Sequence, residues 1–198
     1  MEANNRSKIP RNNRRQTVDR SGMNQKCLFL LLLVCFVIVA TAQTDLKGWR
    51  YAEWGMTADQ VIKVFKGEVE WFEKPAEFEN GNAPIGIESY ALAGHKYKVS
   101  FVLDKNSKLH MVSLDLQEEG NEAIFESLEK LLTEKYGTSS YKNNRRDDGG
   151  LAPSLYHETM WSFSKTTITL TYYELMTTTP MRVILLTYEA KNKELNKL

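Results

Sequence analysis

The apolar residues of this chain repeat with two different periods, and each period occurs twice. Around residues 58–66 and again after Asn121 they follow the 3.6-residue period of an amphipathic helix. The stretches that follow, most clearly residues 97–103 and 109–116, alternate apolar and polar side chains as strands do. Helices separated in sequence from runs of strands are typical of α+β proteins, so we expect an antiparallel β-sheet of about six strands with two helices packed on one face. The repeated order of helix and meander leaves a tandem repeat open as a hypothesis.

Both helices have recognisable signals at their ends. Thr57 and Gln60 have the spacing of a capping box at the start of the first helix, and Gly67 follows its last apolar residue. Asn121 is a suitable N-cap for the second helix, and Gly137 is placed to end it. These signals predict a short helix over about 58–66 and a longer one between Asn121 and Gly137.

Two polar stretches are predicted as connections between the strands. Residues 74–84 are rich in Glu, Asn, Gly and Pro, and residues 138–155 carry a charged run followed by Gly149 and Gly150. We interpret the second stretch as a mobile loop. Three more strands are expected after it, over residues 157–163, 167–172 and 181–188. The threonines of the middle strand give it a polar face, which is either exposed or an edge for strand addition.

An uncharged apolar run precedes the domain at residues 27–40. As a helix it would span about 21 Å, which is shorter than the hydrocarbon core of a bilayer. Lys26 stands before it, and the small residues Ala40 and Ala42 follow it, so the pattern predicts a signal peptide cleaved between Ala42 and Gln43. The alternative is an uncleaved anchor with its basic flank in the cytoplasm. The domain is then periplasmic or extracellular, or held outside the cytoplasm by one membrane span.

The predicted organisation has five segments. They are a basic extension at 1–22, a signal peptide or anchor at 23–42, a linker at 43–56, a globular domain at 57–189 and a charged tail at 190–198. Because a start at Met23 gives the signal a flank of ordinary length, residues 1–22 are interpreted as untranslated.

Residues 1–42 hold seven basic and two acidic residues, which leaves 19 basic and 23 acidic residues in 43–198. An acidic domain gives no general attraction to nucleic acid. Both cysteines, Cys27 and Cys35, lie in the apolar run, so a mature domain without it has no disulfide.

The stretch from Trp54 through Gly55 and Met56 to Thr57 resembles the opening of many small exported bacterial proteins, in which Trp-Gly-Met-Ser/Thr precedes a short helix. A later helix ending in Lys-Tyr-Gly and a strand containing Trp161 extend this resemblance over residues 49–188. The order of helix and meander is also similar to BamE/SmpA-type envelope modules and to the β-lactamase-inhibitor fold. That similarity implies a protein that works by binding other proteins.

No catalytic or metal-binding constellation emerges from the residue spacing. The sequence contains no nucleophile-elbow motif, no phosphate-binding glycine loop and no repeated ligand spacing, so we expect neither a catalytic set, a metal site nor a cofactor. Five residues are candidate binding residues because aromatic and imidazole side chains suit a groove: Trp49, Trp54, Trp71, His110 and His157.

Two functional hypotheses follow. The first is an exported, non-enzymatic binding module whose partner is an envelope protein or a small apolar ligand, with no nucleic acid bound and with membrane contact only through residues 27–42 if these are uncleaved. The alternative is an envelope hydrolase in which His110 or His157, carried by a strand, acts with a carboxylate.

Overall fold

The computed structural model describes residues 45–148 and 153–191. The predicted signal peptide, its cleavage site at Ala40, Ala42 and Gln43, both cysteines, the Gly149–Gly150 pair and most of the charged tail lie outside the described residues. The described chain begins with two short strands and then twice runs through one helix and four strands. The elements are β1 Gly48–Trp49, β2 Ala52–Glu53, α1 Ala58–Phe65, β3 Glu70–Phe78, β4 Gly81–Leu92, β5 His95–Leu103, β6 Leu109–Leu116, α2 Glu122–Tyr136, β7 Tyr141–Asp147, β8 Ser154–Ser162, β9 Thr166–Leu175 and β10 Met181–Ala190.

The eight longer strands form one antiparallel sheet in the order β3-β4-β5-β6-β10-β9-β8-β7, while β1 and β2 form a small separate sheet. Each half is a four-stranded meander, and the two meanders meet where β6 pairs with β10. The edges of the sheet are therefore β3 and β7, the first strand of each half. This confirms an α+β fold with an antiparallel sheet and two helices, and it corrects the expected six strands to eight.

The local signals place both helices as predicted. The Thr57 side chain accepts a hydrogen bond from the backbone of Gln60, whose own side chain bonds back to the Thr57 N–H, so the capping box forms. Asn121 caps α2 by accepting a hydrogen bond from the Ile124 N–H at 3.0 Å. Gly137 ends α2 with a φ of 84°, a conformation that glycine adopts without strain.

Both helices lie on the same face of the sheet. The ring of Phe65 on α1 contacts Phe101 of β5 at 5.3 Å between centroids, and Phe125 on α2 contacts Tyr172 of β9 at 6.3 Å. The strand registers put Phe101 and Tyr172 on one side of the sheet, within a single core. We call this side the helix side, and its burial supplies the main favourable contribution to folding.

Several stretches differ from the sequence expectation. Residues 141–147, predicted as loop, form β7; the two predicted loops also lose residues 74–78 to β3, 81–84 to β4 and 154–155 to β8. Pairing with a neighbouring strand supplies an order that these polar sequences do not encode. Residues 48–53 were expected in a linker, yet they form β1 and β2 and bury Trp49 to 6% exposure. The threonine-rich strand β9 pairs on both sides, so it is no edge.

Candidate functional site: the helix-free face of the sheet

The second face of the sheet carries neither α1 nor α2, and we call it the helix-free face. One row of paired residues crosses all eight strands on this face. Its residues are, in order, Glu70, Gly86, Ser100, Ser113, Thr187, Thr169, Met160 and Tyr141. Because side chains alternate between the two faces of a strand, this row defines which residues point away from the helices.

The C-terminal half of the helix-free face exposes apolar side chains. Met181 and Val183 on β10 are 50% and 40% exposed. Val183 pairs with Tyr173, and Tyr173 pairs with Tyr156, so aromatic rings continue the apolar surface across β9 and β8. The row ends at Arg145, whose guanidinium lies 5.7 Å from the centre of the Tyr156 ring. Exposed Met, Tyr and Arg are the residue types enriched in protein–protein interfaces.

The N-terminal half of the same face is flatter and more polar. Ser100 and Ser113 are buried, and the Phe72 ring lies over Gly86, where a Cβ atom would come within 2.0 Å of the ring. The Lys98 ammonium lies 4.2 Å from the centre of the Phe72 ring, which is a cation–π geometry. Small side chains therefore lie at the centre of this half, and one aromatic ring lies at its edge.

Asp115 is the carboxylate most affected by burial on this face. Burial raises its pKa, while the hydrogen bond from the Ser113 hydroxyl, at 3.0 Å, and the charge of Lys98 oppose the increase. Asp115 pairs across the strands with Lys98 on one side and with Leu185 on the other. It therefore stands where the polar half of the face meets the apolar half.

On the helix side, His157 forms a polar cluster with α2 and β7. Its Nε2 lies 3.0 Å from a carboxylate oxygen of Glu122, and its Nδ1 lies 2.8 Å from the side-chain oxygen of Asn144. The imidazole stacks on Tyr172 with centroids 5.8 Å apart. The ring is therefore held in place by polar partners at both nitrogens and by the stacked Tyr172.

A small pocket of about 120 Å³ opens beside this cluster. The described residues that line it are Glu122, Phe125, Glu126, Glu129, Lys142, Asn144 and His157. They include the histidine and carboxylate that the hydrolase hypothesis needs, but no serine, threonine or cysteine to act as nucleophile. Burial alone would raise the pKa of Glu129, yet the hydrogen bond from Thr159 and the nearby Lys142 lower it. Its carboxylate is thus held as an anion, which suits an ion pair better than a general acid.

The five predicted binding residues do not form one site. Trp49 lies in the core, and the indole N–H of Trp54 donates to the Thr166 hydroxyl at 2.8 Å. Trp71 is 58% exposed on the edge strand β3. His110 lies where the pairing of β5 with β6 shifts register, and its buried Nε2 has no hydrogen-bond partner among the described residues. His157 takes part in a polar cluster beside one pocket, and His110 lies next to Gly81 in the wall of the other.

Arg50 fills an aromatic cluster that contains Trp49, one of the five predicted binding residues. Its guanidinium lies 5.2 to 5.5 Å from the centres of four rings and donates to Glu68 at 2.7 Å. The four rings belong to Trp49, Tyr51, Phe65 and Tyr90. Because the chain's own cation occupies this cluster, it holds the β1–β2 hairpin on α1 and offers no open groove.

A larger, polar pocket of about 770 Å³ lies between the β3–β4 and β5–β6 turns. Asp104 stands in its wall and accepts hydrogen bonds from the backbone N–H groups of Asn106 and Lys108 at 2.8 and 2.9 Å. Burial tends to raise the pKa of Asp104, but these backbone donors lower it overall. The carboxylate is used to close a turn, and no group of three or more His, Cys, Asp and Glu residues in the described chain is arranged to hold a metal ion.

The sequence missed the residues that make up the helix-free face. Met181, Val183 and Tyr173 occupy the positions between the buried residues of their strands, which sequence analysis treats as solvent-facing. The available signal was their size, because these positions carry large apolar side chains where a solvated strand carries small or charged ones.

Comparison with protein-family models, with curated proteins and with solved structures finds no match for this chain. Within the residues that the structure describes, no helix is both long and apolar enough to cross a bilayer.

Proposed function

We propose that this chain is an exported protein whose domain binds another protein through the helix-free face. The observation that carries the proposal is the exposure of Met181 and Val183, next to the paired rings of Tyr173 and Tyr156, on a sheet face that neither helix covers. Single exposed apolar residues are ordinary, but a continuous exposed apolar surface marks an interaction site.

The dimensions of this face suit a protein partner. The apolar half of the face consists of the four strands β7 to β10, which together are about 14 Å wide and, over the seven residues of β7, about 23 Å long. A flat surface of this size offers contact to a patch on another protein but does not enclose a small molecule. A small apolar ligand needs a concave apolar pocket, whereas both described pockets are lined mainly by charged and amide side chains. We therefore assign the face to a protein that presents an apolar patch.

The export part of the proposal is supported by the sequence before the domain. The uncharged run at 27–40, Lys26 and the small residues Ala40 and Ala42 have the form of a cleaved signal. The resemblance to small exported bacterial proteins and to envelope modules that bind proteins supports the same function.

Site-specific photo-cross-linking in the native cell tests this proposal. A cross-linking residue is placed at Val183, and the matched control carries it at Lys130, which is exposed on α2. We expect one protein adduct from position 183, none from position 130, and loss of that adduct when Met181→Asp is added. The purified partner should then bind Met181→Asp at least about tenfold more weakly, while the melting temperature is unchanged.

Two outcomes would overturn the proposal. Equal adducts from both positions, or none from position 183, would remove the helix-free face as the binding surface. Mass spectrometry of the N-terminus tests the export signal in the same samples, because a mature protein starting at Gln43 is expected. An intact apolar run in the membrane fraction would replace cleavage with anchoring.

A further inference from the structure

The two edges of the sheet are built differently. In β3 the pairing with β4 shifts register between Trp71 and Ala76, and Pro75 removes a backbone donor there. In β7 all seven residues pair with β8 in one unbroken register, and the strand contains neither proline nor glycine. No other described strand pairs with the outer side of β7, so within the described chain the backbone N–H and C=O groups of residues 141–146 on that side are not used by another strand.

The two edges also differ in charge. Within β7 there are three basic residues and one acidic residue, whereas β3 carries three glutamates and one lysine. Lys142 and Arg146 point to the helix side, and Arg145 points to the helix-free face. Lys142 pairs with Glu129 and Arg146 with Asp148, both at 2.9 Å, but these two basic side chains are more than half exposed. Both members of the Arg146–Asp148 pair are exposed, and such pairs contribute little and exchange readily with a competing carboxylate, whereas Lys142, paired with the partly buried Glu129, keeps half of its surface open to a partner.

Pairing with a second copy of this chain is disfavoured at both edges. If two β7 strands paired antiparallel about Asn144, Lys142 of each copy would lie opposite Arg146 of the other, and like charges directly opposite are destabilising. Pairing of β7 with the β3 edge of another copy has complementary charge, but the register shift and Pro75 interrupt the ladder. The edge therefore suits a regular extended segment from a different protein.

We propose that β7 binds an extended acidic segment of a partner protein as a ninth, antiparallel strand of the sheet. The inference rests on the proposed binding function and adds a second contact to it. An antiparallel partner strand runs in the opposite direction to β7. Its first residue lies opposite Arg146, its second opposite Arg145 and its fifth opposite Lys142. The recognised segment thus carries acidic residues at positions one, two and five, with β-forming residues between them.

Binding of a labelled peptide to the purified protein, followed by fluorescence anisotropy, tests the proposal. The probe is Thr-Glu-Glu-Val-Thr-Glu-Val, and the comparison peptides replace Glu by Lys or carry N-methyl groups on alternate backbone nitrogens. We expect the probe to bind, with binding weakened as salt rises from about 0.05 M to about 0.5 M. The Lys peptide and the N-methylated peptide should each bind at least about tenfold more weakly. The Lys peptide carries the opposite charge, and the N-methylated peptide lacks backbone N–H donors.

Variants of the protein locate the site. Arg145→Glu combined with Arg146→Glu should lower the affinity at least about tenfold, whereas Lys105→Glu combined with Lys108→Glu, an equal charge change in the β5–β6 turn, should leave it within about twofold. Circular dichroism and thermal melting show that each variant is folded. Equal binding of the N-methylated peptide, or no binding of the probe, would refute strand addition.

Two further results separate this inference from the proposed function. Met181→Asp should leave peptide binding unchanged, because Met181 lies on β10 and not on the edge. If the probe fails while cross-linking from Val183 persists, the edge proposal is wrong and the helix-free face stands. If the purified protein self-associates, and if Arg145→Glu combined with Arg146→Glu abolishes this association, the edge binds a second copy and the proposal is wrong.

Discussion

Replacing Tyr97 by phenylalanine is expected to stabilise the domain. Tyr97 lies on β5 with 0% of its surface exposed, and its hydroxyl has no hydrogen-bond partner among the described residues. A buried hydroxyl without a partner destabilises the folded state by about 1–3 kcal/mol relative to an apolar group of the same shape. Most tyrosine-to-phenylalanine changes in a core have the opposite sign, because they remove a hydrogen bond.

The size of the effect follows from two opposing contributions. Removal of the unpartnered hydroxyl relieves about 1–3 kcal/mol. The space left by one oxygen atom opposes this by a few tenths of a kcal/mol, from about 24 cal/mol per Å³ of cavity. We therefore expect Tyr97→Phe to raise the free energy of unfolding by about 1–2 kcal/mol, which raises the melting temperature by roughly 2–8 °C in a domain of about 150 residues.

Urea unfolding and thermal melting at neutral pH measure this change. The matched control is Tyr188→Phe, because Tyr188 is equally buried but its hydroxyl lies 3.3 Å from the Tyr136 hydroxyl. The control should lower the free energy of unfolding by about 1 kcal/mol. If Tyr97→Phe lowers stability as much as Tyr188→Phe does, the Tyr97 hydroxyl has a partner and the reasoning fails.

The alkaline limb of the stability curve provides a second readout. Burial, with the nearby charge of Glu118, raises the pKa of Tyr97 to about 12. This value lies above the pKa of tyrosine in the unfolded chain. Ionisation of Tyr97 therefore leaves the free energy of unfolding unchanged below about pH 10 and lowers it as the pH rises toward 12. The difference in free energy of unfolding between Tyr97→Phe and the wild type should therefore increase between pH 10 and 12, as measured by urea unfolding at each pH.

Three further predictions concern the elements that hold the two faces in place. Trp161→Phe removes the indole donor of the 2.9 Å hydrogen bond to the Gly137 carbonyl, which should cost about 1–3 kcal/mol in urea unfolding, and unchanged stability would contradict this role. Gly86→Ala places a methyl carbon 2.2 Å from a backbone oxygen of β5, so we expect a loss of about 1–3 kcal/mol or an insoluble protein. Glu129→Gln should destabilise the domain at pH 7, and its deficit against the wild type should vanish as the pH falls below the lowered pKa of Glu129, because the protonated carboxyl no longer forms its ion pair. A deficit that persists in acid would mean that the hydrogen bond with Thr159, rather than the charge, is responsible.

The positions of the two helices are encoded locally. The capping box of Thr57 and Gln60, the cap at Asn121 and the glycine at position 137 act within a few residues of sequence, so they are readable before any tertiary contact is known. The alternation along β5 and β6 similarly identifies which residues face the core, because side chains point to opposite faces at every step.

The edge strand β7 is different, because its sequence carries no alternation to detect. Its seven residues hold one aromatic and no aliphatic side chain, and pairing with β8 alone makes them a strand. The burial of Trp49 and Trp71 likewise depends on tertiary structure, because their sequence context does not distinguish them. The β1–β2 hairpin folds Trp49 into the core, whereas the outermost position of β3 leaves Trp71 exposed.

The chain by itself thus determines an α+β domain with two capped helices and the core side of each central strand, because these properties depend on short-range spacing. The strand order, with β6 against β10 at the centre and β3 and β7 at the edges, depends on which distant segments pair. That order decides that both helices cover one face, that Met181 and Val183 stay exposed on the other, and that a basic strand forms the regular edge. The candidate binding surfaces lie on the consecutive strands β7 to β10, and only the tertiary structure decides which of their side chains the helices cover and which edge stays open.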